Sequence, residues 1–140
     1  MPHTDNAALG QEWIALQNNH EQYEKGALLI KLLAVVLCAV GFALALHEVL
    51  IGALLLVLWL QEGIYRTSQA RLGVRILRIE QGLKTGENAA FQLHSEWLAS
   101  RPGLFGLLAE YAASALRPTV AFPYAVLLLM IVLLVVLAGV

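Results

Sequence analysis

The residues that could do chemistry are few, and their spacing matches no catalytic motif. The chain has four histidines and one cysteine. His20 and Glu24 lie one helical turn apart in the segment HEQYE, but this is not the HExxH pattern that binds zinc. No serine has a nucleophile-elbow context, and there is no glycine-rich phosphate loop. We therefore expect no catalytic residue, no metal site and no cofactor, and a protein that is not an enzyme.

A membrane enzyme is the weakest hypothesis that the residues allow. Its only candidate groups are His94, Glu96 and Glu110, which lie near the expected membrane surface. Three other ionisable residues, Lys31, Glu48 and Glu62, lie near the ends of apolar runs. Charges beside a bilayer need a partner or must reach the surface, so we expect Lys31 and Glu62 to pair.

Composition indicates which elements hold these residues. Of 140 residues, 59% are hydrophobic and 14% are charged, and the formal net charge is −1. The mean hydropathy is +0.71. These values exclude a disordered chain and give no reason to expect a nucleic-acid partner. A single cysteine excludes an intrachain disulfide. The sequence predicts an all-α membrane protein.

Three apolar runs predict three transmembrane helices, because about twenty helical residues span a hydrocarbon core of about 30 Å. The predicted segments follow in order. They are a cytoplasmic amphipathic helix (1–26), a first span (27–46), a periplasmic turn (47–48), a second span (49–65), a cytoplasmic helix (66–85), short cytoplasmic or interfacial helices (86–118) and a third span (119–140).

The positive charges predict an orientation. Of the nine lysines and arginines, seven lie between the second and third runs, and none follows the third. The positive-inside rule then places the N-terminus and the segment 66–118 in the cytoplasm. The C-terminus faces the periplasm, which predicts a protein of the inner, or plasma, membrane.

Two helices are expected to continue beyond the membrane, over about 6–46 and 49–85, the second ending at a Gly86 cap. Each carries an apolar seam with alternating spacings of three and four residues. The first seam includes Trp13, Leu16, His20 and Tyr23, and the second includes Leu72, Ile76, Ile79 and Leu83. We call 1–26 and 66–85 together the stalk. Its two helices pair either within one chain or between chains.

A turn centred between His47 and Glu48 would place residues at equal depth when their numbers sum to about 95. The two seams then face each other, and acidic residues of the first helix lie opposite basic residues of the second. The first two spans are therefore expected to form a long antiparallel hairpin that extends into the cytoplasm. The predicted pairs are Tyr23–Leu72, Leu16–Ile79, Trp13–Leu83, His20–Ile76, Glu24–Arg71, Glu21–Arg75, Glu12–Lys84 and Lys31–Glu62.

Two further helices are expected before the third span, over 88–100 and from Leu104 to a stop at Pro118. The second is amphipathic, and it either lies in the membrane interface or packs against the stalk. Pro123 suits the first turn of the last span.

These features favour a non-enzymatic bacterial-type inner-membrane protein. It would be an assembly or accessory subunit whose stalk binds a second copy or another membrane protein. In architecture, two adjacent spans that continue into a cytoplasmic stalk resemble the two-span bacterial effectors of the SLATT type. That resemblance implies the alternative function, a homo-oligomeric pore-forming effector or channel.

Overall fold

A computed structural model of the chain describes residues 2–86, 98–99 and 101–139, with side chains from residue 6 onwards. Its elements are the helices α1 (Pro2–Ala43), α2 (Glu48–Thr85), α3 (Leu104–Ala115) and α4 (Pro118–Ala138). Three of them, α1, α2 and α4, are long and apolar enough to cross a membrane, as the apolar runs predicted. Apart from 98–99, the helix predicted over 88–100 lies outside the described residues.

Hydrogen bonds fix both ends of the connection 44–47 between α1 and α2. The Leu46 N–H donates to the Gly41 carbonyl oxygen at 2.9 Å. Ala45 has a left-handed φ of 51°, which completes a Schellman motif at the end of α1. His47 caps α2, because its Nδ1 accepts a 3.3 Å hydrogen bond from the backbone N–H two residues on. The residue that ends α1 in the left-handed conformation is therefore Ala45, and not a glycine.

This four-residue turn corrects the predicted register. Because α1 ends at Ala43 and α2 begins at Glu48, residues at equal depth have numbers that sum to about 91, and not to 95. The predicted turn centre lay two residues too far along the chain. A Cβ atom built on Gly41 would lie only 2.7 Å from Ile51 Cδ1, which shows how closely the helices approach beside the turn.

Two apolar clusters lie between the helices. The first is at the level of the candidate spans and contains Ala34, Cys38, Ile51, Leu55, Tyr124 and Ile131. The second is in the stalk and contains Leu9, Leu16, Ile76 and Ile79, with Trp13 and Leu72 packed against it. Leu83 was expected in this seam but is 38% exposed. The corrected register places it opposite the small side chain of Ala8, near the start of α1.

Helix α3 packs against α2 at Gly63. A Cβ atom at Gly63 would lie 3.0 Å from Ala115 Cβ and 3.1 Å from the Tyr111 carbonyl oxygen. The part of α3 around Tyr111 and Ala115 therefore lies on α2, while Leu104 and Leu108 are exposed. Pro118, and not Pro123, occupies the first turn of α4, because α4 begins earlier than predicted and Pro123 lies inside it.

Candidate functional site

Helices α1, α2 and α4 meet at one buried carboxylate, that of Glu62. The side chain of Glu62 in α2 is fully buried. Lys31 Nζ of α1 lies 3.0 Å from Glu62 Oε1, and the hydroxyl of Tyr124 in α4 donates to Glu62 Oε2 at 2.9 Å. The structure thus forms the Lys31–Glu62 pair and adds Tyr124 to it. A carboxylate removed from water needs such partners, because an unpaired buried charge costs several kcal/mol.

Lys31 also bonds to the backbone of α4. Its Nζ donates to the Thr119 carbonyl oxygen at 3.1 Å. In a regular helix that oxygen accepts from the N–H four residues later, which here belongs to Pro123. Proline has no N–H, so the acceptor is left open inside α4. One ammonium group therefore forms an ion pair with a carboxylate of α2 and a hydrogen bond to a carbonyl of α4.

Arg66 brings a second cation to the same carboxylate. Its Nε lies 3.7 Å from Glu62 Oε1, one helical turn away, and its Nη1 donates to Gln69 Oε1 at 2.8 Å. The side chains of Lys31 and Arg66 are 22% and 21% exposed, so both charges keep contact with the surroundings. We call Lys31, Glu62, Arg66, Thr119 and Tyr124 the Lys31 cluster. Two cations and one carboxylate give it a net charge of +1.

Trp59 connects α3 to the Lys31 cluster. Its ring stacks on that of Tyr124, with centroids 6.0 Å apart and planes inclined by 5°. Its Nε1–H donates to the Ala115 carbonyl oxygen at 2.8 Å. Ala115 is in the last turn of α3, where carbonyl groups lack a partner within the helix. All four helices therefore converge on this level of the molecule.

The geometry of the Lys31 cluster suits the joining of helices. Glu62 has no exposed surface, and two cations and a phenol surround it. Among the described residues there is no group of three or more His, Cys, Asp or Glu side chains that could hold a metal ion. Of the groups considered for a lipid enzyme, Glu110 forms an ion pair with Arg71, and His94 and Glu96 lie outside the described residues.

The stalk contains a second buried ion pair, which the predicted register missed. Arg75 donates from Nε and Nη2 to the two carboxylate oxygens of Glu12, at 2.9 and 3.2 Å. Both side chains are almost entirely buried. The predicted pairs Glu21–Arg75 and Glu12–Lys84 are wrong. The turn is centred two residues earlier than predicted, which brings Arg75 closer to the level of Glu12, and Glu21 is exposed.

Arg71 was also assigned the wrong partner. It bonds to Glu110 of α3, with Nη2 and Oε2 2.7 Å apart. Its predicted partner Glu24 is exposed, and the structure shows no ion pair between Glu24 and any described residue. The amphipathic pattern of α3 could not show that its polar face reaches back to α2.

The remaining seam residues combine apolar packing with polar bonds. Trp13 Nε1–H donates to Glu80 Oε1 at 3.1 Å. The His20 carbonyl oxygen accepts from Gln69 Nε2 at 3.4 Å. Tyr23 lies edge-on against the ring of Tyr65, with centroids 5.4 Å apart. These contacts were not among the predicted pairs. Of the predicted pair Tyr23–Leu72, both residues line one pocket together with Tyr65.

Sequence reasoning missed four members of the functional site: Arg66, Tyr124, Thr119 and Trp59. One signal was present, because a proline inside an apolar run marks a vacant carbonyl four residues earlier. The identity of the donor that fills it depends on how α1 and α4 pack.

No protein-family model matches the chain, and comparisons with curated proteins and with solved structures found no similar protein.

Proposed function

We propose that the protein is a non-enzymatic inner-membrane subunit that associates with a second copy or with another membrane protein through its stalk. In this proposal α1, α2 and α4 cross the membrane, with the N-terminus in the cytoplasm and the C-terminus in the periplasm. Helices α1 and α2 form a long antiparallel hairpin, and the stalk extends from the cytoplasmic face.

The observation that carries this proposal is a set of exposed apolar side chains on the stalk. Ile14, Val74 and Leu77 are each more than half exposed. Counting about twenty residues from Glu48 places the inner end of the hydrocarbon core near residue 68. Leu77 lies nine residues further along α2, about 13 Å beyond that level. Lipid chains do not cover side chains at this height.

The stalk already has an interior, so these side chains are not needed for its own packing. Leu9, Leu16, Ile76 and Ile79 fill the space between α1 and α2. Exposed apolar groups outside a membrane are characteristic of association surfaces. Burying one such side chain contributes about 1.5–3 kcal/mol. Association of the stalk would bury them.

The distribution of charge supports the orientation. Seven of the nine lysines and arginines lie between the second and third apolar runs. In the structure these include the buried Arg75 and the ion-paired Arg71, which are fixed to the stalk. A segment that holds this much positive charge resists translocation.

The association is tested by comparing the full chain with a Val74→Gln/Leu77→Gln variant in mild detergent, by light scattering and by co-purification. We expect the wild type to form an oligomer or to retain a stoichiometric partner, and the variant to lose it without a change in thermal midpoint. Gln81→Ala, at another exposed stalk position, is the control and should behave as the wild type. A monodisperse wild-type monomer without a partner contradicts the proposal.

The orientation is tested separately with single cysteines on a Cys38→Ala background. A membrane-impermeant maleimide added to intact spheroplasts should label Gly139→Cys and leave Gln81→Cys unlabelled until the cells are lysed. The opposite pattern reverses the proposed topology and leaves the association experiment unaffected.

A further inference from the structure

A groove lies where α2, α3 and the start of α4 meet. Its volume is about 270 Å³. Arg71 and Arg117 line it, together with the carboxylate of Glu110 and the small apolar side chains of Ala70 and Ala113. The buried residues Thr67 and Ser114 also line it, so it is a basic groove with both polar and small apolar side chains in its wall.

The groove has an excess of positive charge. Arg71 and Glu110 neutralise each other through a 2.7 Å ion pair. Arg117 is exposed, and the structure shows no hydrogen bond or ion pair from its side chain to any other described residue. The hydroxyls of Thr67 and Ser114 bond to each other at 2.8 Å and compete little for a ligand. A net charge of +1 remains, and it is carried by a guanidinium suited to a phosphate group.

The depth of the groove matches that of lipid headgroups. Arg71 lies three residues beyond residue 68, where a hydrocarbon core counted from Glu48 ends. Arg117 directly precedes α4, whose 21 residues have about the length that a bilayer core requires. The side chains of Arg71 and Arg117 therefore line one groove near the expected boundary of the hydrocarbon core. This placement holds for either orientation of the chain.

Two exposed apolar side chains lie close to Arg117 in the chain. Leu116 and Phe122, on either side of Arg117 in the chain, are 68% and 70% exposed. A lipid whose phosphate lies at Arg117 could extend its acyl chains over these two side chains. A free phosphate ion would gain nothing from them.

We propose that this groove binds the phosphate of an anionic phospholipid, with Arg117 as its main ligand. Zwitterionic lipids fit less well, because their ammonium group meets Arg71 and Arg117 and their net charge does not complement the groove. Basic pockets between transmembrane helices are a known type of site for acidic headgroups. The bound lipid would bridge α2 and the junction between α3 and α4.

The test is lipid binding to the full chain in detergent, measured by native mass spectrometry with phosphatidylglycerol, phosphatidylcholine and inorganic phosphate. We expect at least tenfold tighter binding of phosphatidylglycerol than of phosphatidylcholine, and no binding of inorganic phosphate in the same range. Arg117→Gln should weaken phosphatidylglycerol binding about tenfold. Lys84→Gln removes the same charge from an exposed stalk position and should leave it unchanged.

Helix content and thermal midpoint of Arg117→Gln establish that the variant is folded. Arg117→Lys, which keeps the charge but loses the planar guanidinium, should bind with intermediate affinity and serves as a second variant. Equal binding of the two lipids overturns the proposal. Equal loss in Arg117→Gln and Lys84→Gln also overturns it, because binding would then depend on overall charge alone. Binding of inorganic phosphate as tight as that of phosphatidylglycerol shows an anion site and contradicts the lipid assignment.

Discussion

The ammonium group of Lys31 donates a 3.1 Å hydrogen bond to the carbonyl oxygen of Thr119, a backbone acceptor inside α4. That acceptor is open because Pro123 has no N–H to offer it. The same ammonium lies 3.0 Å from Glu62 of α2. Lys31 of α1 thus contacts both α2 and α4, and Pro123 leaves a carbonyl oxygen in α4 to which α1 can bond.

Removal of the Glu62 carboxylate should be the most damaging change to the Lys31 cluster. Glu62→Gln leaves Lys31 and Arg66 as two cations without a counter-charge, and breaking a buried pair in this way costs about 3–5 kcal/mol. Lys31→Met should cost less, because Arg66 Nε remains 3.7 Å from the carboxylate. The double variant Lys31→Met/Glu62→Gln should be more stable than Glu62→Gln alone. Thermal unfolding in nanodiscs gives this ranking, and additive losses would show that the two residues do not interact.

Pro123 should be coupled energetically to Lys31, although proline carries no charge and the two side chains form no ion pair. Pro123→Ala restores an N–H that can bond to Thr119 within α4, so Lys31 becomes less important there. A hydrogen bond from a charged donor contributes about 1.5–3 kcal/mol. We therefore expect the cost of Lys31→Met to fall by about 1 kcal/mol or more in the Pro123→Ala background.

Pro118→Ala is the matched control for this cycle. Pro118 lies in the first turn of α4, where an N–H has no acceptor within the helix in any case. The cost of Lys31→Met should be the same with and without Pro118→Ala. Equal coupling of the two prolines to Lys31 would mean that the vacant carbonyl has no special role.

The register between α1 and α2 can be tested by neutralising acidic residues of α1 one at a time and measuring the free energy of unfolding. Glu12→Gln leaves Arg75 buried without its carboxylate, so it should lower the free energy of unfolding by about 3 kcal/mol. Glu21→Gln, at an exposed position, should change it by less than about 0.5 kcal/mol. Chemical denaturation in detergent measures both. The exchange Glu12→Arg/Arg75→Glu should recover part of the loss, whereas a larger effect at Glu21 would favour the register that the turn geometry excludes.

The extent of the helices could be predicted from the sequence, whereas their alignment could not. The three apolar runs predicted three candidate spans, because span length follows directly from residue rise and bilayer thickness. Gly86 was expected to cap α2, and it does so with a left-handed φ of 74°. In contrast, the turn after α1 depends on Ala45 in the same left-handed region. Alanine gives no sequence signal for that conformation, and glycine is the residue expected there.

An error of two residues in the turn centre altered most of the predicted ion pairs. It separated Arg75 from Glu12 and assigned it to Glu21, which is exposed in the structure. Lys31–Glu62 was identified despite the error. Its residue numbers sum to 93, which lies between the predicted sum of 95 and the observed sum of 91, and the lysine side chain is long enough to reach the carboxylate across this difference. The contacts of α3 and α4 could not be found in this way. Those helices are separated from α2 by a connection whose geometry no pattern specifies.

The docking of α3 should depend on the absence of a side chain at Gly63. Gly63→Ala places a methyl group 3.0 Å from Ala115 Cβ and 3.1 Å from the Tyr111 carbonyl oxygen, and neither is a flexible side-chain end. Helix α3 must therefore shift, and the hydrogen bond from Trp59 to the Ala115 carbonyl should weaken or break. We expect a lower thermal midpoint and altered tryptophan fluorescence.

Gly73→Ala is the control, because a Cβ atom there meets nothing within 4 Å. It should stabilise α2 by up to about 1 kcal/mol, as alanine does in place of glycine inside a helix. Stabilisation by both substitutions would show that α3 does not rest on Gly63.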